Sequence, residues 1–295
     1  MSDPLVEEIH EWAREHPVVF VCGFARSGTT RVYAVFQCSP EFMRETGYIN
    51  ESGLFRNYER IEEFRSTQEL YVFLGQPGPE RDELDRALAI SRSWPPEERR
   101  AFRIRAFFFA AHRFGRMPRL AEKTPGHETH ASELSACFPR ARFLYVQRHP
   151  VDVLASLRRL HQRETAQGRR VSADRWWGRD AAEFARRYGR SVKAFRRMRR
   201  ERGDRVLRIA YEAFVADPEA TMRRAFAFVG AAFDLDYLDP RGKSDHWGDW
   251  EPLLKSTVQP VPATWRERLR SEEIETVQSR LADVLEEAGY PAYRI

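Results

Sequence analysis

Apolar runs alternate with amphipathic stretches along most of the chain, and this alternation predicts its secondary structure. Short apolar runs predict buried strands at residues 18–22 and 142–147, and shorter or less regular patterns predict strands at 120–123, 205–210 and 42–49. Apolar residues at helical spacing predict helices at 3–15, 29–38, 54–92, 95–115, 128–137, 151–162, 174–203, 218–229 and 272–288. Polar and proline-rich residues at 163–173 and 231–263 predict loops.

Strands that alternate with helices predict an α/β fold, in which a central parallel sheet is flanked by helices on both faces. The length of 295 residues is enough for one large α/β domain or two small ones, and no repeat or linker divides the sequence. We therefore expect a single domain over residues 1–295, with a helical insertion at about 52–118. In such sheets ligands bind beyond the carboxyl ends of the strands, where several motifs fall.

The first of these motifs follows the strand at 18–22 and is similar to a phosphate-binding P-loop, G-x-x-x-x-G-K-[ST]. Gly23 and Gly28 have the P-loop spacing and Thr30 fills the last position, but Thr29 stands where the lysine should be. A positive charge reappears three residues earlier, as Arg26. The loop can still hold a phosphate on its amides, whereas the missing lysine argues against ATP or GTP.

The second motif follows the strand at 142–147. Arg148 lies directly after that strand, and Ser156 lies two turns into the next predicted helix. An arginine and a hydroxyl together suit one phosphate, because they combine a charge with a directional donor. A simple ion pair between Arg148 and Asp152 is the structural alternative.

Two further motifs follow the other predicted strands. The segment Glu122-Lys123-Thr124-Pro125 comes at the end of the strand at 120–123, and Tyr211-Glu212 comes at the end of the strand at 205–210. A lysine at a strand end can be an ordinary surface residue. Beside a sulfate or phosphate it would stabilise charge on the bridging oxygen.

Taken together, these motifs resemble the sulfotransferases that use 3′-phosphoadenosine 5′-phosphosulfate (PAPS). The resemblance rests on the R-S-G-T-T loop, the Arg148–Ser156 pair, the E-K-T-P segment of the Golgi-type and bacterial branches, and Tyr-Glu-x-Phe-Val-x-Asp-Pro at 211–218. Residues 255–257 and 265–269 resemble the loop that closes over the donor. The match runs from about residue 17 to residue 290 and implies the P-loop-NTPase-like sulfotransferase fold.

The resemblance also implies a reaction and the residues that carry it. A sulfuryl group would pass in line from PAPS to an acceptor hydroxyl or amine without a metal, giving the desulfonated nucleotide PAP and a sulfated product. Arg26 and Lys123 would stabilise charge at the phosphosulfate. The implied donor-binding residues are Arg26, Ser27, Gly28, Thr29, Thr30, Arg148, Ser156, Tyr211, Lys255, Ser256 and Thr257.

The general base that takes the acceptor's proton has two main candidates. Branches with E-K-T-P are similar to this chain in carrying a glutamate like Glu51, which we favour. Other branches use a histidine just after the lysine, a role that would fall to His127, although Pro125 and Gly126 change the spacing. Glu45 is a third option, and a Glu51 without a role is the structural alternative.

Charge is unevenly placed, because residues 175–202 hold 11 Arg and Lys against 3 Asp and Glu while the net charge of the chain is +5. This run indicates either an anionic partner or a solvated helix face. The aromatic stripe of the same segment, from Trp177 to Phe195, is expected to pack in the core. No nucleic-acid-binding signature accompanies the charge. A degenerate P-loop phosphotransferase and a non-catalytic nucleotide- or polyanion-binding module remain as alternatives.

Location and partners follow from weaker signals. The N-terminal segment is polar and unlike a signal peptide, no run approaches the ~20 apolar residues of a membrane span, and three cysteines without metal-ligand spacing indicate buried free thiols. We expect a cytoplasmic protein with no membrane partner. The acceptor would be a small molecule or carbohydrate, bound by the insertion and the loop at 163–173. The chain would be a monomer or homodimer.

Overall fold

The four predicted strands at 18–22, 120–123, 142–147 and 205–210 form one parallel sheet. The computed structural model describes residues 3–42, 79–113, 118–168, 180–239, 257–258 and 265–294. Its strands are β1 (Val18–Cys22), β2 (Leu120–Lys123), β3 (Arg142–Gln147) and β4 (Val206–Ala210). All neighbours pair in parallel, in the order β2-β1-β3-β4. Because helices flank this sheet, the predicted α/β class is confirmed.

Helices connect the strands and follow the last one. The described helices are α1 (Pro4–Glu15), α2 (Thr29–Gln37), α3 (Pro79–Ile90), α4 (Pro96–Arg113), α5 (Ala131–Cys137), α6 (Pro150–Ala166), α7 (Ala181–Arg202), α8 (Tyr211–Ala216), α9 (Pro218–Val229), α10 (Trp265–Arg268), α11 (Ser271–Arg280) and α12 (Ala282–Ala288). Two start as the sequence suggests, with a proline in the first turn and an aspartate as N-cap. Asp3 accepts from Leu5 N at 2.9 Å, and Asp217 accepts from Ala220 N at 2.9 Å.

The two faces of the sheet are covered by different helices. On one face, Phe20 and Phe143 stack with their ring centroids 5.4 Å apart and pack in the core with α1, α4 and α5. On the other face, Val21 and Leu144 pack against α2 and α9. All five residues of β1 are buried, which explains why its sequence is apolar without alternation. Three residues of the insertion, Phe107–Phe109, belong to the first core.

A third cluster joins α6, α7 and α11 beside the sheet. The predicted aromatic stripe of α7 is buried there and in the first core, through Phe184, Tyr188, Val192 and Phe195. The core role of these residues is therefore confirmed, while Trp177 lies outside the described residues. None of the described helices is both long enough and apolar enough to cross a membrane. The three cysteines are buried free thiols, as predicted.

Several predicted boundaries were wrong. Helix α6 continues to Ala166, into the predicted loop at 163–173, because no helix breaker occurs before Gly168. Helix α7 begins at Ala181 rather than 174, where the Asp180 side chain accepts from Glu183 N at 2.7 Å. The predicted helix at 272–288 is divided at Leu281 into α11 and α12.

The chain between α2 and α3 is the part least tested by the structure. The predicted strand at 42–49 lies outside the described residues apart from Phe42, and only Pro79–Ile90 of the long predicted helical region is described. The single domain over residues 1–295, with its insertion at about 52–118, therefore stays a prediction. Helix α8, directly after β4, was not predicted at all.

Candidate functional site

The glycine-rich loop between β1 and α2 passes directly over β3. Its backbone takes positive φ values at Gly23 (141°), Arg26 (71°) and Gly28 (96°). A Cβ placed on Gly23 would lie 2.3 Å from the carbonyl oxygen of Val146 in β3. Glycine is required there by this close approach as well as by its φ. The loop therefore delivers the N-terminus of α2 to the carboxyl edge of the sheet.

Tyr211 brings three of the sequence motifs together. A Cβ on Gly28 would lie 2.2 Å from Cδ2 of this tyrosine, so the ring closes against the loop. The Arg148 guanidinium lies over the Tyr211 ring, with the Arg148 Cζ atom 4.7 Å from the ring centroid. Arg148 and Tyr211 meet because the preceding residues, Gln147 and Ala210, pair in register across β3 and β4. The strand-end prediction of a common site is consistent with this geometry.

Hydroxyl groups and arginines face the same region from the loop and from α6. Arg26 Nε donates to Ser156 Oγ at 3.3 Å, which joins the first motif to the second. Ser27 is fully buried, and among the described residues its Oγ has no hydrogen-bond partner. Because an unpaired buried hydroxyl is costly, this atom fits a site that a polar ligand completes.

Positive charge accumulates beside these residues, one turn beyond Ser156. Burial and then the surrounding guanidinium groups lower the pKa of Arg159, a half-buried residue of α6. The arginines that contribute are Arg26, Arg268, Arg163 and Arg148. Within the described ranges neither Arg159 nor Arg163 forms an ion pair. An assembly of like charges of this kind favours an anion with more than one negative group.

The turn that carries Arg148 is fixed by neighbours on three sides. His149 N donates to Glu212 Oε1 at 2.8 Å, and the Tyr188 hydroxyl donates to the Arg148 carbonyl at 2.6 Å. His149 Nδ1 accepts from Val151 N at 3.3 Å, so its Nε2 donates to the carbonyl of Pro291 at 3.0 Å. Burial lowers the pKa of this imidazole, which keeps it in the neutral form that both bonds require.

The E-K-T-P segment is buried beside the loop. Lys123 is fully buried at the end of β2, in register with Val21 of β1. The preceding Glu122 accepts from Thr124 Oγ1 and lies with its Oε2 2.9 Å from His127 Nδ1. The His127 side chain is only 3% exposed. The His127 imidazole is therefore held against a carboxylate of the E-K-T-P segment itself.

The match to a family model decides the identity. A model described as "Sulfotransferase family" matches residues 17–235, which is most of the chain and includes all the strand-end motifs. The chain belongs to the sulfotransferase family. Among curated proteins, none matches the sequence.

Solved structures agree with this membership at the level of the fold. The sulfotransferase domain of the Synechococcus PCC 7002 olefin synthase is 21% identical, with a TM-score of 0.58 over 94% of this chain and 96% of that one. The sulfotransferase domain of the curacin biosynthetic pathway is 16% identical, with a TM-score of 0.61 over 95% and 100%. Sulfotransferase STF9 from Mycobacterium avium is 13% identical, with a TM-score of 0.51 over 98% and 82%.

Three predicted site residues of the sulfotransferase, Glu51, Lys255 and Ser256, lie outside the described residues, as does Glu45. Thr257 is described, and its carbonyl accepts from the Arg31 guanidinium at 3.1 Å. Arg31 thus ties α2 to the segment that resembles the closing loop. The remaining predicted residues lie in or beside the loop, between Lys123 and His127, directly after β3 and β4, and, for Ser156, on α6.

Sequence reasoning missed three residues of this sulfotransferase that lie beside the motifs. Arg159 could have been found from helical spacing, since it follows Ser156 by three positions on α6, and Arg31 directly follows Thr30 on α2. Glu128 left no such signal. Its hydrogen-bond partners include Gly23, 105 residues earlier, and Ser191, 63 residues later.

Proposed function

We propose that this sulfotransferase takes its sulfuryl group from PAPS and transfers it to a hydroxyl or amine of a small-molecule or carbohydrate acceptor. The observation that carries the proposal is the meeting of a lysine-free P-loop with Arg148 and Tyr211 at one edge of the sheet. A donor with anionic groups at both ends of its ribose suits a site with several separate guanidinium groups.

The residues divide into two anion-binding groups. The loop amides from Ser27 to Thr30 and the Arg26 side chain would hold the 5′-phosphosulfate at the start of α2. Arg148 and Ser156 would hold the 3′-phosphate, with Tyr211 fixing the arginine. The contact between Arg26 and Ser156 supports a compact donor site in which the two groups are neighbours.

The transfer is a displacement at sulfur that involves no change of oxidation state. The bond between sulfur and the bridging oxygen of the phosphosulfate breaks while a bond forms between sulfur and the acceptor oxygen or nitrogen. The acceptor's proton goes to the general base, and PAP leaves with the bridging oxygen. Lys123 and Arg26 would stabilise the negative charge that grows on this oxygen, in place of a metal.

Glu51 is the general base in this proposal. The sequence supports the choice, because the similar E-K-T-P branches carry a glutamate there, while Pro125 and Gly126 change the spacing between Lys123 and His127. Glu51→Gln should bind PAP as the wild type does and lose almost all turnover, since only the proton acceptor is removed. Glu45→Gln is the matched control and should keep its activity. A Glu51→Gln enzyme with normal turnover would exclude this base.

Calorimetry with nucleotides tests the donor. PAP should bind in the presence of EDTA, and ATP with Mg²⁺ should bind at least tenfold more weakly, because Thr29 replaces the lysine that reaches a triphosphate. Tight binding of ATP with Mg²⁺ and none of PAP would favour the phosphotransferase alternative. Labelled PAPS supplied with a metabolite mixture would then identify the acceptor.

A further inference from the structure

One buried carboxylate touches both segments that would surround the phosphosulfate. Glu128 is only 1% exposed and follows the E-K-T-P segment by three residues. Its Oε2 accepts from Gly23 N at 3.1 Å and from Gly126 N at 3.1 Å. Gly23 is the first residue of the P-loop, and Gly126 follows Lys123 in the same turn. A single oxygen atom therefore connects the two segments.

The other oxygen fixes this carboxylate to the body of the protein. Glu128 Oε1 accepts from Ser191 Oγ at 2.5 Å, and the Tyr145 hydroxyl lies 3.2 Å from the same Oγ. Ser191 belongs to α7 and Tyr145 to β3, whose aromatic ring stacks on Phe195 with centroids 4.3 Å apart. Glu128 is thus held from a packed part of the core and cannot turn away without breaking that pairing.

A carboxyl group in this position is costly. Burial raises the pKa of Glu128, while the hydrogen bond from Ser191 and those from backbone amides oppose the shift. A buried carboxyl group stabilises the protein only if its oxygens are satisfied, and an apolar side chain of similar volume would avoid the cost. The benefit that offsets the cost of burying Glu128 must therefore come from the backbone amides that its oxygens hold in place.

We propose that Glu128 is a positioning residue that sets the distance between the P-loop and the segment carrying Lys123. The inference rests on the proposed function, since it takes both segments to act on one phosphosulfate. The Gly126 N–H also donates to the Gly23 carbonyl at 3.1 Å, so the two turns touch directly and Glu128 closes the contact. In this proposal the length of the side chain at position 128, which lets one oxygen accept from both amides, is required, and its negative charge is not.

Two substitutions separate reach from charge. Glu128→Gln removes the ionisable group but keeps an oxygen for both amides, and its Nε2 can donate to Ser191 Oγ. Glu128→Asp keeps the carboxylate but withdraws it by about one carbon–carbon bond, ~1.5 Å, so it cannot reach both amides. Glu133→Asp makes the same shortening five residues later, at a side chain that is 40% exposed, and serves as the control.

The experiment measures PAP affinity by calorimetry, acceptor-independent hydrolysis of saturating PAPS, and thermal stability. We expect Glu128→Gln and Glu133→Asp to stay within about threefold of the wild type in affinity and hydrolysis. Glu128→Asp should lose about tenfold in PAP affinity and about 100-fold in hydrolysis, because a shift of ~1 Å in a reacting group has effects of that size. Those losses should exceed what reduced stability explains at a temperature where the variant is folded.

Each other outcome has a definite meaning. A folded Glu128→Asp protein with wild-type affinity and hydrolysis overturns the proposal, and so does a Gln variant as defective as the Asp variant. If the Asp variant does not fold, Ser191→Ala decides, since loosening Oε1 should lower PAPS hydrolysis and an unchanged rate overturns the role. A wild type that binds no PAP overturns the proposed function itself and with it the donor role of Glu128.

Discussion

Two arginine-rich helices, α6 and α7, pack against each other, and their charges have different surroundings. Most of the basic run at 175–202 falls on α7, where the sequence left an anionic partner and a solvated face as equal alternatives. In the described part of that run, four arginines lie within 4.0 Å of acidic side chains of the same molecule, namely Arg186, Arg187, Arg196 and Arg197. The α6 side holds fewer arginines, but they lie near the strand ends.

The outer face of α7 pairs its charge in two ways. Within the helix, Glu183 lies 2.7 Å from Arg186 and 2.6 Å from Arg187, and hydrogen bonds from these two groups lower its pKa to about 2. Across to α12, Arg196 contacts Asp283 at 2.9 Å and Glu287 at 2.6 Å. Such exposed pairs favour the solvated-face interpretation.

On the α6 side, Arg158 pairs with Glu273 at 2.7 Å, so the contrast with α7 concerns Arg148 and Arg159. In the described part of the chain, Arg148 and Arg159 make no ion pair, and Arg148 contacts the Tyr211 ring instead. The comparison teaches that basic residues dense in the sequence can be paired within the molecule. We therefore expect the anion site at arginines that follow strand ends and make no ion pair.

The largest expected difference between the two helices concerns Arg148. Arg148→Ala should weaken PAP binding about 100-fold, because it removes charge-assisted hydrogen bonds to one phosphate. Arg197→Ala on α7, where the arginine lies 4.0 Å from Glu201, is the matched control and should change affinity less than twofold. Calorimetry at one ionic strength measures both. Equal affinities for Arg148→Ala and the wild type would remove Arg148 from the site.

A smaller effect is expected where Tyr211 supports Arg148. Gly28→Ala would place a Cβ 2.2 Å from the Tyr211 ring at a φ of 96°, whereas Gly230→Ala has a φ of 72° and open space around its Cβ. Both variants should lose about 1 kcal/mol of stability from the left-handed backbone, and Gly28→Ala should lose more because its Cβ overlaps the ring. Only Gly28→Ala should also lose PAP affinity, by about tenfold, since the ring must shift. Equal PAP affinities in the two variants would show that the ring contact is not needed.

The sequence predicts the strands best and the helix ends worst. The bounds of β1, β2 and β3 agree with prediction, and for β1 the reason is that a strand buried on both faces is continuously apolar. The end of α6 was missed because residues 163–166 are polar and exposed or nearly so, and nothing in their sequence distinguishes a solvated helix from a loop. The break at Leu281 depends on packing with other helices.

The site divides in the same way. Arg26, Arg148 and Tyr211 could be grouped from sequence because parallel strands bring their carboxyl ends to one edge. Gly28 is necessary because a side chain there would overlap the ring of Tyr211, which is distant in sequence. The sequence pattern therefore identifies the glycine but not the contact that requires it. Glu128 was missed because two of its partners, Gly23 and Ser191, are distant in sequence, and no motif includes Glu128 itself.

A third test concerns the turn that presents Arg148. Burial lowers the pKa of His149, so the folded state disfavours its protonation. The stabilisation from the neutral ring is present above its unfolded-state pKa of about 6.5 and is lost as pH falls below that value. Burial also lowers the pKa of His10 and His130, so the comparison is with His149→Asn, which can still cap α6. Between pH 7.5 and 5.5 the wild type should lose more thermal stability than this variant, and an equal loss would exclude His149.

The smallest effect is expected on α7. Replacing Arg186 and Arg187 together by alanine removes two positive charges but only exposed or half-exposed contacts with Glu183. PAP affinity should change less than twofold, and its dependence on salt should be the same as in the wild type, because the donor's counterions are displaced elsewhere.

The same variant should bind a heparin column as the wild type does if α7 is a solvated face. If the variant elutes earlier but binds PAP normally, α7 is a polyanion-binding surface separate from the donor site. If the variant loses PAP affinity, the charges of α7 as well as those near α6 attract the donor.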